Sequence, residues 1–190
     1  MNYFLALRPT RNTRDRLAAV ADRLRLWGTG ASWVDPEDYH ITLCYFGRLE
    51  AADVRSIPWS VNDVAWAMCA PELTLPGLGA FAGRREPRVV YAAVGDEDGW
   101  SMDLHLDLHD ALGEKPSRHF HPHITLCRPR GGSGDPEVWP RLLEAHGCAD
   151  WGECELGELV FYESRPGNVP RYHALERWPI PRAEPRAALA

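Results

Sequence analysis

Lysine is almost missing from this sequence: Lys115 is the only one, and arginine carries the remaining positive charge. Genomic base composition accounts for such a skew, so it excludes no function. Cysteine occurs five times, as Cys44, Cys69, Cys127, Cys148 and Cys154, but never as a C-x-x-C pair. An odd number without that spacing suggests neither a disulfide framework nor a structural zinc site, and fits free thiols in a reducing compartment. No apolar run is long enough to cross a bilayer, and Met1 leads at once into the strand-like Tyr3-Phe4-Leu5-Ala6-Leu7, with no charged leader or cleavage site. The expectation is a soluble cytoplasmic protein with no membrane partner. Positive charge is also in deficit, since 21 basic against 27 acidic residues leave a net charge of -6 and a pI near 5.7. That balance argues against a protein that coats long stretches of nucleic acid, which depends on many phosphate contacts. Recognition of one phosphate or one strand end stays open.

What is present is enough for one good core: 190 residues, 45% of them hydrophobic. Residues 2–7 read as a buried first strand ended by Arg8-Pro9-Thr10. Leu17, Val20, Ala21 and Leu24 then recur at helical spacing, with Arg14, Asp15, Asp22 and Arg23 opposite, until Gly28 and Gly30. Residues 31–34 suit a short strand, 35–38 a turn, and 39–46 a strand closed by Gly47. Pro58 argues against a regular helix across 51–59. Residues 64–75 and 88–94 read as strands flanking a Gly-rich stretch. A helix over 101–112 carries Leu104, Leu108, Ala111 and Leu112 on one stripe. A strand over 119–127, a Gly/Pro-rich loop, a helix over 137–145 and strands at 155–163 and 172–177 follow, and 182–190 read as a frayed tail. Strand, helix and strands followed by helix and strands again resemble a duplicated unit and predict an α+β fold, a single domain of two lobes over residues 1–181.

One repeat is specific. His40-Ile41-Thr42-Leu43-Cys44 recurs residue for residue as His123-Ile124-Thr125-Leu126-Cys127. On a strand alternate side chains share a face, so His and Thr project together while Ile and Leu enter the apolar layer behind. By the same alternation Cys44 and Cys127 face the motif side, as small residues on a cleft floor or as a redox-sensitive or metal-binding pair. If the halves meet about a pseudo-twofold axis, two imidazoles and two hydroxyls converge. One His can then serve as base and the other as acid near neutral pH, while the Thr hydroxyls bond phosphoryl oxygens. That set suits in-line displacement at phosphorus without a metal. The repeat could instead be the remnant of a core duplication, but His and Thr on one face are costly in a core because buried polar groups need partners.

At these residues the chain resembles the two-histidine (2H) phosphoesterase superfamily, and within it the RNA 2',3'-cyclic phosphodiesterases, also called 2'-5' RNA ligases. The resemblance runs from Tyr3 to about Pro181 through Tyr39-His40-Ile41-Thr42-Leu43, Tyr45-Phe46-Gly47, Gly79-Ala80-Phe81, Pro87-Arg88-Val89-Val90-Tyr91, Phe120 to Arg128, and Phe161-Tyr162-Glu163-Ser164 with Tyr172 behind. It implies a bilobal fold with antiparallel sheets around a central cleft and helices outside. It further implies His40 as proton donor and His123 as proton acceptor, with Thr42 and Thr125 beside them and no metal or other cofactor. The implied reaction opens a 2',3'-cyclic phosphate at an RNA or oligonucleotide end to a 2'-phosphate, with reverse 2'-5' ligation possible in principle. Sequence symmetry alone does not say which His is the acid. A monomer is the default.

Around the motifs, Arg128 and Arg130 are candidates to bond a phosphate, although strict alternation turns Arg128 away from the Cys127 face and leaves a surface role open. Tyr45, Phe46, Phe81 and Tyr162 are candidates to stack a terminal base, or else core residues. His105 and His109 have the spacing of a zinc-binding helix pair, but Leu106 stands where the zinc hydrolases carry their Glu, so they read first as a helix flank. His119 and His121 read as loop or rim residues, and His146 and His173 have no supporting pattern. The alternatives are a phosphodiesterase for a small metabolite such as an ADP-ribose cyclic phosphate, a non-catalytic RNA-end binding module, and a zinc hydrolase built on His105 and His109.

Overall fold

The computed structural model describes residues 1–182 apart from 28–29, 83–86, 118, 131–134 and 136. Most of the tail expected over 182–190 lies outside that range. Arg182 at its border pairs with Glu153 and Glu155 and bridges to Ala70.

The elements are β1 (Asn2–Pro9), α1 (Arg11–Arg25), β2 (Ala31–Trp33), β3 (Ile41–Gly47), α2 (Ala51–Ala67), β4 (Leu78–Phe81), β5 (Val89–Ala93), α3 (Trp100–Ala111), β6 (His123–Pro129), α4 (Val138–His146), β7 (Leu156–Ser164) and β8 (Tyr172–Pro179). They build an α+β fold with two antiparallel four-stranded sheets, ordered β3-β1-β7-β8 and β2-β6-β5-β4. Among the described residues no helix is long and apolar enough to cross a membrane.

The duplication is visible as an exchange of strands. Elements β1-α1-β3-α2-β4 repeat the order of β5-α3-β6-α4-β7, with β2 and β8 added. Yet β4 leaves the first half to pair with β5, and β7 leaves the second half to pair with β1. Each sheet therefore depends on both halves of the chain, and one hydrophobic cluster runs through both, from Leu5, Leu7 and Phe161 to Val90, Ile124 and Leu126.

Several expectations change. The helix expected to be weakened and less regular at Pro58 runs unbroken from Ala51 to Ala67, because Ile57, Val61 and Ala65, spaced four apart, are buried as one stripe. Tertiary burial outweighs the lost N–H bond of proline. The strand expected over 64–75 is mostly absent: α2 takes its first residues, and among the described residues the isolated bridges of Ala70 to Arg182 and of Thr74 to Gly95 and Glu153 remain. Arg14, placed opposite the apolar stripe, is buried instead, donating to the Pro9 carbonyl at 2.9 Å and pairing with Glu37.

The feature that matters most for the site is a pair of β-bulges at equivalent places. Ala6 faces Thr42 and Leu5 faces Cys44, so β3 carries an extra residue at Leu43. Tyr91 faces Thr125 and Val90 faces Cys127, so β6 carries an extra residue at Leu126. An inserted residue inverts the alternation of everything after it. Beyond each bulge the cysteine turns into the core, where Cys44 and Cys127 are fully buried, and Tyr45 and Arg128 take its place on the motif face. The expectation that Cys44 and Cys127 floor the cleft is thereby corrected.

Candidate active site

Strands β3 and β6 place their motifs on one cleft of about 610 Å³, lined by His40, Thr42 and Tyr45 on one side and His123, Thr125 and Arg128 on the other. Asp38, Arg171 and Tyr172 form part of its rim, and Trp33 and Phe4 contribute apolar wall.

The two imidazoles are held the same way. His40 Nδ1–H donates to the Asp38 carbonyl at 2.7 Å, and His123 Nδ1–H donates to the His121 carbonyl at 2.8 Å. A carbonyl only accepts, so each bond places the proton on Nδ1 of the neutral ring and leaves Nε2 with the lone pair. His40 Nε2 accepts from the Thr42 hydroxyl at 3.1 Å in that state.

Aromatic neighbours fix the planes. Phe4 lies 5.0 Å from His40, and Tyr172 meets it edge-on at 4.9 Å. Phe81 meets His123 edge-on at 4.9 Å and Tyr91 lies at 5.2 Å. Tyr91, which faces Thr125, is the register counterpart of Ala6, which faces Thr42, so the two histidines take their aromatic neighbours from different positions of β1 and β5. Tyr91 can occupy its place because its partner across the sheet, Gly79, has no side chain: a Cβ there would stand 2.3 Å from the Tyr91 ring.

Electrostatics disfavour the charged form of both rings. Burial pushes His40 down to about 4, against the lift from its bond to the Asp38 carbonyl, and the charges of His123 and Arg128 push it the same way. Burial also lowers His123, opposed by its bond to the His121 carbonyl and reinforced by His121 and Arg128. Each motif is therefore an imidazole whose charged form lacks solvent and waits for an anion.

Of the residues singled out from sequence, His40, Thr42, His123, Thr125, Tyr45 and Arg128 meet in the cleft. Arg128 does so against strict alternation, because of the bulge. Phe81 stands behind His123 and lines an adjoining pocket of about 500 Å³. Phe46 and Tyr162 lie elsewhere. Phe46 faces the core edge-on to Phe161, since the bulge gives the motif face to Tyr45. Tyr162 is buried as the cross-strand partner of Phe4, stacked on it at 5.2 Å. Arg130 is exposed just past the end of β6 and is not among the residues lining the cleft.

Sequence reasoning missed Asp38, Phe4 and Tyr172. The Asp38 carboxylate accepts the backbone N–H groups of Arg171 and Tyr172 at 3.0 and 3.1 Å, tying the turn before His40 to the start of β8. Burial raises its pKa, while those two bonds pull the other way. Nothing in the sequence pairs Asp38 with a segment so far along the chain. Among the described residues, the cleft histidines belong to no group of three metal-type donors.

Comparison with known proteins agrees with this geometry. The family model described as LigT-like phosphoesterase matches residues 7–91. An RNA 2',3'-cyclic phosphodiesterase of Methanothermobacter thermautotrophicus is 30% identical over 67% of this chain and 71% of its own. One from Geobacillus stearothermophilus is 27% identical over 94% of this chain, which spans 57% of that relative's length. Among solved structures, a Thermus thermophilus protein superposes with a TM-score of 0.75 at 20% identity, covering 97% of this chain and 100% of that one. E. coli LigT, solved with 3'-AMP, superposes with a TM-score of 0.63 at 21% identity, over 95% and 98%. With the repeated motif, the two-sheet fold and these relatives in agreement, the chain belongs to the LigT-like, two-histidine phosphoesterase family of cyclic phosphodiesterases.

Proposed function

We propose that the protein hydrolyses a 2',3'-cyclic phosphate at an RNA or oligonucleotide end to a 2'-phosphate by acid–base catalysis between His40 and His123, with no metal in the reaction. The observation that carries this reading is that both motif histidines line one cleft, each with Nδ1 fixed by the carbonyl two residues earlier and Nε2 left for substrate. The names of the relatives supply the substrate class.

Water attacks phosphorus as His123 Nε2 takes its proton, the bond to the 3'-oxygen breaks, and His40 Nε2 delivers a proton to that oxygen. Burial disfavours the charged form of both rings. A phosphodiester anion between them favours imidazolium, so His40 acquires its proton as substrate binds. The Thr42 and Thr125 hydroxyls donate to the non-bridging oxygens, and Arg128 and Arg171 on the rim offset their charge. Tyr45, 63% exposed beside the cleft, offers a face for a terminal base. With a 5'-hydroxyl end attacking in place of water, the same groups form a 2'-5' linkage, His123 taking the hydroxyl proton and His40 protonating the departing 3'-oxygen. We place the activity in the cytoplasm.

The cleft volume of about 610 Å³ also favours a second reading, a cyclic phosphate on a small nucleotide metabolite. Turnover of a cyclic mononucleotide, an ADP-ribose cyclic phosphate and a cyclic-ended RNA separates the two.

The decisive experiment is product analysis on an oligonucleotide ending in a 2',3'-cyclic phosphate, with and without EDTA. A 2'-phosphate is expected in both, and His40→Ala and His123→Ala should each lower kcat by about 10² to 10⁴-fold. A 3'-phosphate product, or full activity in both variants, overturns the mechanism.

A further inference from the structure

The reverse side of β3 carries a second constellation, which the two-histidine chemistry does not use. Past its bulge, β3 turns Cys44 toward α3, where it meets His105 and His109, four residues apart on that helix. The three are 0%, 1% and 7% exposed, and their donor atoms all lie within 4.8 Å of one another.

The hydrogen bonding of the two rings is incomplete in a particular way. His105 Nδ1–H donates to the Leu43 carbonyl at 2.8 Å, which fixes its tautomer and leaves Nε2 buried with a lone pair and no partner. His109 Nδ1 is likewise buried without a hydrogen bond, the Glu114 carboxylate standing 3.7 Å away. Phe120 lies flat on the His105 ring at 4.5 Å and holds its plane. Two unsatisfied imidazole nitrogens beside one thiol are a costly way to pack a core. They are also the donor set that a borderline-soft divalent ion takes.

We propose that Cys44, His105 and His109 form a binding site for a zinc-class divalent transition ion, with Glu114 closing the fourth position. The donors are the Cys44 thiolate sulfur, His105 Nε2 and His109 Nδ1. A tetrahedral ion with bonds of about 2.0–2.3 Å sets its donors roughly 3.5 Å apart, so small side-chain rotations close the present spread. On binding, the Cys44 S–H bond breaks, a sulfur–metal bond forms and the proton leaves to solvent. Both imidazoles bind as neutral rings, and nothing is oxidised or reduced.

The Leu43 carbonyl is already in place as the outer partner that orients a ligating His. The adjoining pocket of about 500 Å³, lined by His105, His109, Glu114 and Lys115, is the way in. Leu106 leaves the pair without the general base of the zinc hydrolases, so the ion ties α3 to the strand that presents His40 and Thr42. Cys127, the duplicate of Cys44 on β6, is an internal control: it is equally buried, but among the described residues it belongs to no such donor group.

Cobalt(II) titration of the tag-free, full-length protein tests this, read by absorbance rather than turnover, so the outcome is independent of the proposed phosphodiesterase. Wild type should bind about one cobalt per chain, with a thiolate-to-cobalt charge-transfer band and tetrahedral d–d bands that zinc removes. Cys44→Ala should lose the charge-transfer band, His109→Gln should weaken cobalt binding more than about tenfold, and Cys127→Ala should leave the spectrum unchanged. Circular dichroism checks that each variant is folded, and the wild-type titration with His109→Gln decides the matter should Cys44→Ala not fold. Absence of the bands in wild type, an octahedral spectrum alone, or a charge-transfer band that survives Cys44→Ala overturns the site.

Discussion

Each cleft histidine donates one ring nitrogen to a carbonyl and turns the other toward the opening, and the cost of that placement is visible in its protonation. His40 is held near 4 against an ordinary value of 6.5, so between those values the unfolded chain binds a proton that the folded chain refuses. Its contribution to stability is therefore full above about pH 6.5 and is lost as the pH falls toward 4, at up to about 1.4 kcal/mol per pH unit. His123 is displaced in the same direction. Urea midpoints at pH 7 and pH 5 should show a larger acid loss in wild type than in His40→Gln; equal losses would mean that the ring is solvated. Because both values lie low, the bell of kcat/KM should peak on the acid side of pH 6.5, and a rate flat from about pH 5 to 9 would contradict paired imidazole catalysis. Asp38 supports His40 from outside the motif. Asp38→Ala leaves the backbone N–H groups of Arg171 and Tyr172 unpaired, and should cost about 1–3 kcal/mol in chemical denaturation.

Strand periodicity was a good guide up to the threonine of each motif and a poor one beyond it. Alternation alone sends Cys44 and Cys127 into the cleft and Arg128 out of it, whereas the bulges at Leu43 and Leu126 exchange them. A bulge arises from how two strands register against each other, and no single strand announces it. The kinetic consequence is specific: Arg128→Ala should lower kcat/KM by about 10 to 100-fold, the effect of removing a charge-assisted bond, while Cys127→Ala should leave it close to wild type. The reverse order would restore simple alternation. Helix α2 makes the same point about proline. Pro58 lies inside it with the Ile57, Val61 and Ala65 stripe buried, so local propensity is overridden and some strain remains. Pro58→Ala should therefore raise stability by about 1–3 kcal/mol, measured as a shift in denaturant midpoint at unchanged slope.

At the scale of the whole molecule, the exchange of β4 and β7 means that neither sheet is completed by one half of the chain. We propose that residues 1–181 unfold as one domain, giving a single calorimetric transition whose van't Hoff and calorimetric enthalpies agree, and that the protein sediments as a monomer; two resolved transitions would divide the lobes. The amino-acid sequence by itself determined the class of the fold, the duplication and the four polar groups of the two motifs. Those rest on local pattern: apolar spacing along helices, alternation along strands, and a five-residue repeat that survives in both halves. Only the tertiary structure decided the rest. It brought Phe4, Asp38 and Tyr172 to His40, moved Arg128 into the cleft and Phe46 out of it, and set Cys44 against His105 and His109. Those placements depend on strand register and on contacts between distant segments, and such contacts are energies of the assembled core that no short window of sequence contains.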